Sequence, residues 1–195
     1  MYGSSIKLKP SELRLTLEKF IQARHSILIK GAPGFGKSEI VAVVCKLLNY
    51  RLIISHPVVS DPTDFKGFPF VIDGKAVFLP FSDLAELITA TESTVFFLDD
   101  LGQASPSVQA ACMQLLLARR INGHKVSDYV TFIAATNRKE DRAGVTGMLE
   151  PVKSRFISIV ELVPDTEEWC IWARDNNVSE KLIAAIKYLP GKKNQ

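Results

Sequence analysis

The sequence has few cysteines, no visible secretory signal and no long apolar run, and each of these features excludes a class of protein. Only three cysteines occur in 195 residues, an odd number that does not fit a framework of paired disulfides. Cys45 and Cys112 lie on apolar faces of predicted helices, so we expect buried thiols in a reducing cytoplasm. The amino-terminal residues lack the apolar core of a secretory signal. The longest apolar run, IVAVVC, is too short to cross a membrane.

Strong charge and several familiar catalytic patterns are missing as well. The net charge is only +3 and no long basic run occurs, so a nucleic-acid partner is not indicated. The three histidines have no metal-ligand spacing. Neither G-x-S-x-G nor C-x-x-C is present, which leaves serine-hydrolase and dithiol chemistry without support. The composition, 47% hydrophobic and 23% charged, is that of a globular protein.

Short apolar runs alternate with helical patterns along most of the chain. Five runs are predicted to be strands: 26–30, 51–55, 94–99, 129–136 and 156–162. Helical patterns separate them, which predicts an α/β fold with a doubly wound parallel sheet. Ligands of such sheets bind at the carboxyl ends of the strands. Asp165 and Glu168 are predicted to form a capping box for a further helix.

Residues 57–81 interrupt this alternation with four prolines and a predicted hairpin. Asp73-Gly74 lies between apolar flanks and is a strong two-residue turn signal. Five of the eleven phenylalanines fall between Phe65 and Phe81. Packing of the hairpin on the body is the favoured interpretation, and a substrate-gripping loop is the alternative.

The segment GAPGFGKS, residues 31–38, follows a predicted strand and opens a predicted helix. It fits the phosphate-loop pattern G-x-x-x-x-G-K-[ST]. Glycines let backbone N–H groups turn inward around a phosphate, and the helix directs its positive end at the same point. Lys37 can reach the β- and γ-phosphates, and Ser38 can bind Mg²⁺. A dinucleotide fingerprint is excluded, because its last glycine would fall at Glu39.

Polar residues follow the third and fourth predicted strands. Asp99 and Asp100 end the run TVFFL, and Asn137 follows FIAAT. Asp99 is predicted to hold Mg²⁺, and Asp100 to orient and activate the attacking water. Asn137 can touch both the γ-phosphate and that water. The alternatives are a solvated turn or helix cap for Asp100, and ordinary turn chemistry for Asn137.

Arg155 comes directly before the fifth predicted strand. A guanidinium there can act as an arginine finger, which stabilises the negative charge of the transition state. Arg138 and Arg142 are rivals for the same role. A surface arginine paired with a neighbouring acid is the remaining alternative for Arg155.

The order of phosphate loop, acidic pair, asparagine and arginine resembles the AAA+ ATPases over about residues 10–175. Within that group the chain looks most like the MoxR branch, as found in bacteria and phages. The reasons are the insert between the second and third strands and the stretch LDDLGQASPSVQAACMQLL. The resemblance implies a sheet order of 5-1-4-3-2, ATP and Mg²⁺ as ligands, and a homo-oligomeric ring, often a hexamer. It also implies that Arg155 acts on the nucleotide of the neighbouring subunit.

These inferences assign the candidate residues to three roles. Catalysis is expected from Asp100, Asn137 and Arg155, and Mg²⁺ binding from Ser38 and Asp99. ATP binding is expected from the whole phosphate loop and the residue after it: Gly31, Ala32, Pro33, Gly34, Phe35, Gly36, Lys37, Ser38 and Glu39.

The chain is expected to divide into a nucleotide-binding domain at 1–163 and a partial helical lid at 164–195. The lid has room for about two helices, where the family has several, so either it is short or the chain is a truncation. Asp100 also replaces the usual glutamate. The leading function is an ATP-driven remodeller of an unidentified protein client. The alternatives are a nucleotide-gated scaffold with little turnover, and a DNA-linked ATPase such as a helicase loader.

Overall fold

The computed structural model describes residues 6–138 and 147–188. The strands within these ranges are β1 (Ile6–Leu8), β2 (Ile27–Lys30), β3 (Arg51–Ser55), β4 (Phe68–Ile72), β5 (Lys75–Leu79), β6 (Thr94–Leu98), β7 (Arg120–Ile121), β8 (His124–Lys125), β9 (Val130–Thr136) and β10 (Ser158–Leu162). The helices are α1 (Pro10–Gln22), α2 (Lys37–Leu48), α3 (Asp83–Thr89), α4 (Pro106–Ala118), α5 (Glu150–Lys153), α6 (Thr166–Asp175) and α7 (Glu180–Tyr188).

The central sheet is parallel throughout and has the strand order β1-β10-β2-β9-β6-β3. The five predicted strands lie in the predicted order 5-1-4-3-2, so the α/β class and that order are confirmed. The strand count was wrong, because β1 adds a sixth strand at the edge, with Ile6 opposite Val160. This strand has three residues and none is fully buried. Its sequence therefore carries no apolar run that would have revealed it.

Strand side chains alternate between two apolar layers, one on each face of the sheet. Ile27 and Ile29 point into a cluster with α1 and α2, whereas Leu28 points into a cluster with α3 and α4. Every residue of β6 and of β9 is buried. Because both faces are covered, these strands are apolar without alternation, as parallel strands usually are. The sheet edge with the candidate site therefore rests on a rigid core.

Helix α2 buries one narrow stripe of its surface. Leu47 is apolar but 61% exposed. Val41, Val44 and Cys45 form the buried face instead. Their spacing of three and four residues defines one helical stripe, and Leu47 lies outside it.

Helices α6 and α7 follow β10 and pack on each other around Cys170, Ala173 and Ile183. Asp165 caps α6 by accepting from the backbone N–H groups of Glu167 and Glu168, both at 3.0 Å. The predicted capping box is only half correct. The Glu168 carboxylate accepts instead from the N–H and hydroxyl of Ser11, at 2.8 and 2.7 Å. This contact ties the start of α1 to α6.

The insert forms the predicted hairpin from β4 and β5. Asp73 and Gly74 both have positive φ, 50° and 73°, as a two-residue type I′ turn requires. The hairpin does not pack on the body as the favoured interpretation had it, because Phe68 and Phe70 are 57% and 55% exposed. Only Phe65, just before β4, is buried in the core. The insert is therefore anchored at its base and exposes apolar side chains along both hairpin strands.

None of the helices that the structure describes is long and apolar enough to cross a membrane.

Candidate nucleotide-binding site

The phosphate loop connects β2 to α2 at the carboxyl edge of the sheet. The N–H of Gly31 donates to the carbonyl of Thr136 at 3.2 Å, which fixes the start of the loop beside β9. Gly34 and Gly36 have φ of 77° and 79°, a conformation that other residues adopt only with strain. Lys37 is the first residue of α2. The loop therefore leads into a helix N-terminus, whose N–H groups and dipole favour an anion.

The ammonium group of Lys37 lies inside this loop and is only 6% exposed. Its Nζ donates to the carbonyls of Gly31 and Ala32, at 3.2 and 3.1 Å, and to Oδ1 of Asn137, at 2.7 Å. A buried cation needs oxygen partners to offset the loss of hydration. Phosphate oxygens can accept from the ammonium group in the same way, so the site fits a nucleoside triphosphate.

Ser38 and Asp99 meet beside Lys37. The Ser38 hydroxyl donates to Oδ2 of Asp99 at 2.6 Å. Mg²⁺ usually takes one or two protein oxygens and completes its shell with water and substrate phosphates. A hydroxyl and a carboxylate in contact therefore fit a nucleotide-bound Mg²⁺. Among the described residues there is no cluster of three or more His, Cys, Asp or Glu side chains that could hold a metal without the nucleotide.

Asp100 lies one residue further, in the left-handed region at φ 54°. Its carboxylate accepts from Nε2 of Gln103 at 2.9 Å, and its carbonyl accepts from the N–H of Gln103 at 2.9 Å. The carboxylate is therefore held by Gln103. Oε1 of Gln103 is buried and has no hydrogen-bond partner in the described part of the chain. Sequence reasoning missed Gln103, although its spacing of three from Asp100 was a usable signal.

The turn after Asp100 presses against the end of β9. A Cβ added at Gly102 would lie 2.1 Å from Oγ1 of Thr136. Only glycine therefore allows this approach, which brings the acidic turn close to Asn137. Asn137 itself is 8% exposed. Gly102 was not singled out from the sequence, because its role depends on a contact between distant segments.

The remaining loop residues form the rim of the site. Pro33, Gly34 and Glu39 are exposed, whereas Phe35 packs partly against the α1 and α2 layer. Their place on the loop is the predicted one, and a direct contact of Glu39 with nucleotide stays a prediction.

The structure separates Arg155 from the rest of the predicted site. Arg155 precedes β10, and its carbonyl accepts from the hydroxyl of Ser26, just before β2, at 3.1 Å. This is the amino edge of the sheet, about 15 Å from the phosphate loop by the length of a five-residue strand. Arg138 lies at the carboxyl edge and pairs with Glu161 at 3.4 Å. Arg142, the other rival, lies outside the described residues.

A parallel α/β sheet with a phosphate loop, a serine–aspartate pair and a polar strand end defines a P-loop nucleotide-binding protein. The family described as the AAA domain, dynein-related subfamily, matches residues 26–156. The chain therefore belongs to the AAA family of ATP-hydrolysing proteins. No curated protein matches the sequence.

Three solved structures with the same fold are distant in sequence. The RuvB Holliday junction branch migration motor of Thermotoga maritima is 20% identical, with a TM-score of 0.57, over 86% of this chain and 49% of RuvB. A suspected ATPase from Cytophaga hutchinsonii is 16% identical, with a TM-score of 0.61, over 86% and 50%. NtrX from Brucella abortus, solved with ADP, is 16% identical, with a TM-score of 0.58, over 91% and 44%. The chain spans about half the length of these proteins.

Proposed function

We propose that this chain binds and hydrolyses ATP with Mg²⁺, as a MoxR-like member of the AAA+ group. The observation that carries the proposal is the pair of contacts at one sheet edge, Lys37 to Asn137 and Ser38 to Asp99. These contacts join the phosphate loop to the ends of two other strands. They assemble a cation, a hydroxyl, a carboxylate and an amide, which phosphoryl transfer by this class uses.

Each side chain has a role that follows from its position. Lys37 exchanges its present oxygen partners for phosphate oxygens and so neutralises the β- and γ-phosphates. Ser38 and Asp99 would hold Mg²⁺, which would supply positive charge beside the phosphate groups. Asp100 accepts a proton from the attacking water, and Asn137 orients that water. Asp100 must first leave, or share, its bond with Gln103.

Arg155 acts in trans within this proposal. A guanidinium at the amino edge of the sheet cannot serve a phosphate at the carboxyl edge of the same chain. It can serve a nucleotide in a second copy whose carboxyl edge faces it. We therefore propose a homo-oligomeric ring, often a hexamer in this group, with ATP bound between subunits.

The work done with ATP is proposed to be remodelling of a protein partner. The exposed apolar hairpin of β4 and β5 supports this role, because large exposed apolar surfaces often contact other proteins. Residues 1–163 form the motor domain in this account, and residues 164–195 a partial lid. Three buried free cysteines support a cytoplasmic location.

A nucleotide-gated scaffold is the second candidate, and one contact favours it. The hydrogen bond from Gln103 restrains the Asp100 carboxylate, which is also one methylene shorter than glutamate. Slow turnover with normal binding would follow if this restraint persists with nucleotide present.

Turnover measured against protein concentration tests the proposal. Activity per subunit that rises as the protein assembles supports a remodelling ATPase. ATP binding by calorimetry with turnover near zero at all concentrations supports the scaffold. Stimulation by added DNA would contradict both and indicate a DNA-linked ATPase.

A further inference from the structure

A cavity opens at the amino edge of the sheet, on the opposite side of the molecule from the phosphate loop. Its volume is about 300 Å³. Arg24 follows α1, Arg119 ends α4, and Arg155 precedes β10, and all three line this cavity. Three separate elements therefore direct guanidinium groups to one place.

The charge of the cavity wall is unbalanced. The other described residues in the wall are apolar or carry hydroxyls: Ser26, Leu116, Leu117, Phe132, Ser154 and Ile157. No acidic side chain is among the described residues of the wall. The charge of Asp128 influences both Arg119 and Arg24, but this side chain is exposed and pairs with Lys125 at 2.6 Å. The cavity is therefore a concentrated positive site.

Two of the arginines are held in place by contacts that do not neutralise them. Nη1 of Arg24 donates to the carbonyl of Asp128 at 2.6 Å, and its guanidinium lies 5.3 Å from the Tyr129 ring centre. Nη2 of Arg119 donates to the carbonyls of Ser127 and Val130, at 2.8 Å each. The guanidinium group of Arg119 stacks on the ring of Phe132. Burial lowers the pKa of Arg119, the charge of Asp128 opposes this shift, and the charge of Arg24 adds to it. Carbonyl and ring contacts fix the side chains while the positive charges remain.

Arg155 supplies an unused donor. Its Nε is buried and has no hydrogen-bond partner in the described part of the chain. A buried unpaired donor costs free energy, and an incoming acceptor removes that cost. The arrangement is therefore preorganised for an anion.

We propose that this cavity is a phosphate-binding site, in which Arg24 and Arg119 act together with Arg155 on one oxyanion. Guanidinium forks match the geometry of phosphate oxygens, which favours phosphate over a monovalent halide. Two sources present this chemistry: the terminal phosphate of a nucleotide held by a second copy, and a free polyphosphate. The first source rests on the proposed function, because it requires Arg155 to act in trans.

Two arms of one experiment distinguish the sources, both with the full chain. Arg24→Gln is the test variant, because Arg24 is exposed and its loss leaves the core intact. Arg120→Gln is the matched control, since Arg120 is an exposed neighbour of Arg119 that does not line the cavity. Thermal melting of both variants checks that they fold like the parent.

The first arm measures ATPase activity in mixed assemblies. The Arg155→Ala chain supplies an intact phosphate loop. The Lys37→Ala chain supplies intact Arg24, Arg119 and Arg155. Adding Arg24→Gln to the Lys37→Ala chain should lower the restored activity about tenfold, as expected for one lost charge-assisted hydrogen bond. Adding Arg120→Gln should leave it unchanged. This outcome identifies the phosphate of a second copy.

The second arm measures binding of tripolyphosphate to the Lys37→Ala chain by calorimetry, with its own phosphate loop disabled. A loss of about tenfold in affinity with Arg24→Gln, and none with Arg120→Gln, identifies a free polyphosphate. If neither arm separates Arg24→Gln from Arg120→Gln, the phosphate site does not exist. An inactive parental mixture, despite proven subunit exchange, would contradict the trans role of Arg155, and the second arm would then decide the cavity alone.

Discussion

Single residues define the candidate site through a small set of polar contacts. Lys37 is buried among oxygens, Ser38 donates to Asp99, and Asp100 is held by Gln103. The phosphate-loop and strand-end residues could be predicted because their chemistry is written in short motifs beside apolar strands. Gln103 and Gly102 could not, since their roles depend on which other segments lie against them.

Lys37→Ala should weaken ATP·Mg²⁺ binding by about 100-fold or more, because several charge-assisted contacts to phosphate are lost together. Lys46→Ala is the matched control, since Lys46 is exposed near the other end of the same helix. Isothermal titration calorimetry measures both. Equal affinities for the two variants would remove the phosphate-loop assignment.

Asp100→Asn should bind ATP·Mg²⁺ normally and lose hydrolysis by about 10²–10⁴-fold, as expected for loss of a general base. The amide keeps the shape of the carboxylate and can still accept from Gln103, so the turn should fold as before. Asp99→Asn should instead weaken the Mg²⁺ dependence of binding. Hydrolysis at the parent rate in Asp100→Asn would mean that another group is the base.

Cys45 and Cys112 should resist alkylation in the folded protein at pH 8. Burial raises the pKa of Cys45 to about 11 and that of Cys112 to about 12. Both thiols are therefore protonated at pH 8, and only the thiolate reacts with iodoacetamide. Mass spectrometry after a timed reaction measures this, with guanidinium-unfolded protein as the control. Labelling of these two cysteines as fast as in the unfolded chain would contradict their burial.

Elements of regular structure were predicted well where an apolar pattern was long and poorly where tertiary contacts decide. The five central strands carry continuous apolar runs, so their type followed from the sequence, whereas their order followed from the family resemblance. Strand β1 is too short to show a pattern. Glu168 binds Ser11 across the fold, and the hairpin stays exposed, because both outcomes depend on partners that no local pattern encodes.

Gln109 links α4 to the segment before α5 and was not predicted to matter. Its fully buried amide donates to the carbonyls of Ala104 and Gly147, at 3.0 and 3.2 Å, and accepts from the N–H of Leu149 at 2.9 Å. The link ties the segment before α5 to the end of the turn that follows Asp100.

Gln109→Leu should lower the free energy of unfolding by about 1–3 kcal/mol, because buried backbone groups lose their partner. Gln114→Leu, at an exposed position of the same helix, is the control and should change stability by less than about 0.5 kcal/mol. Urea denaturation followed by circular dichroism measures both. Equal stabilities would show that the three hydrogen bonds contribute nothing net.

The whole molecule has two charged sites at opposite edges of one sheet. The phosphate loop lies at the carboxyl edge, and Arg155 lies with Arg24 and Arg119 at the amino edge. One chain cannot bring these together, whereas neighbouring copies in the proposed ring would. The sequence singled out the phosphate loop and Arg155, but not Arg24 or Arg119, because the convergence of these arginines depends on strand direction and tertiary packing.

ATPase activity in a mixture of Arg155→Ala and Lys37→Ala chains tests this account most directly. Each variant alone should be inactive, since an arginine finger contributes about 10³–10⁵ in rate and Lys37 is needed for binding. After labelled mixing proves subunit exchange, the account predicts that the mixture recovers part of the parental activity, because an intact phosphate loop then faces an intact Arg155. A mixture no more active than the sum of its two parts would contradict it.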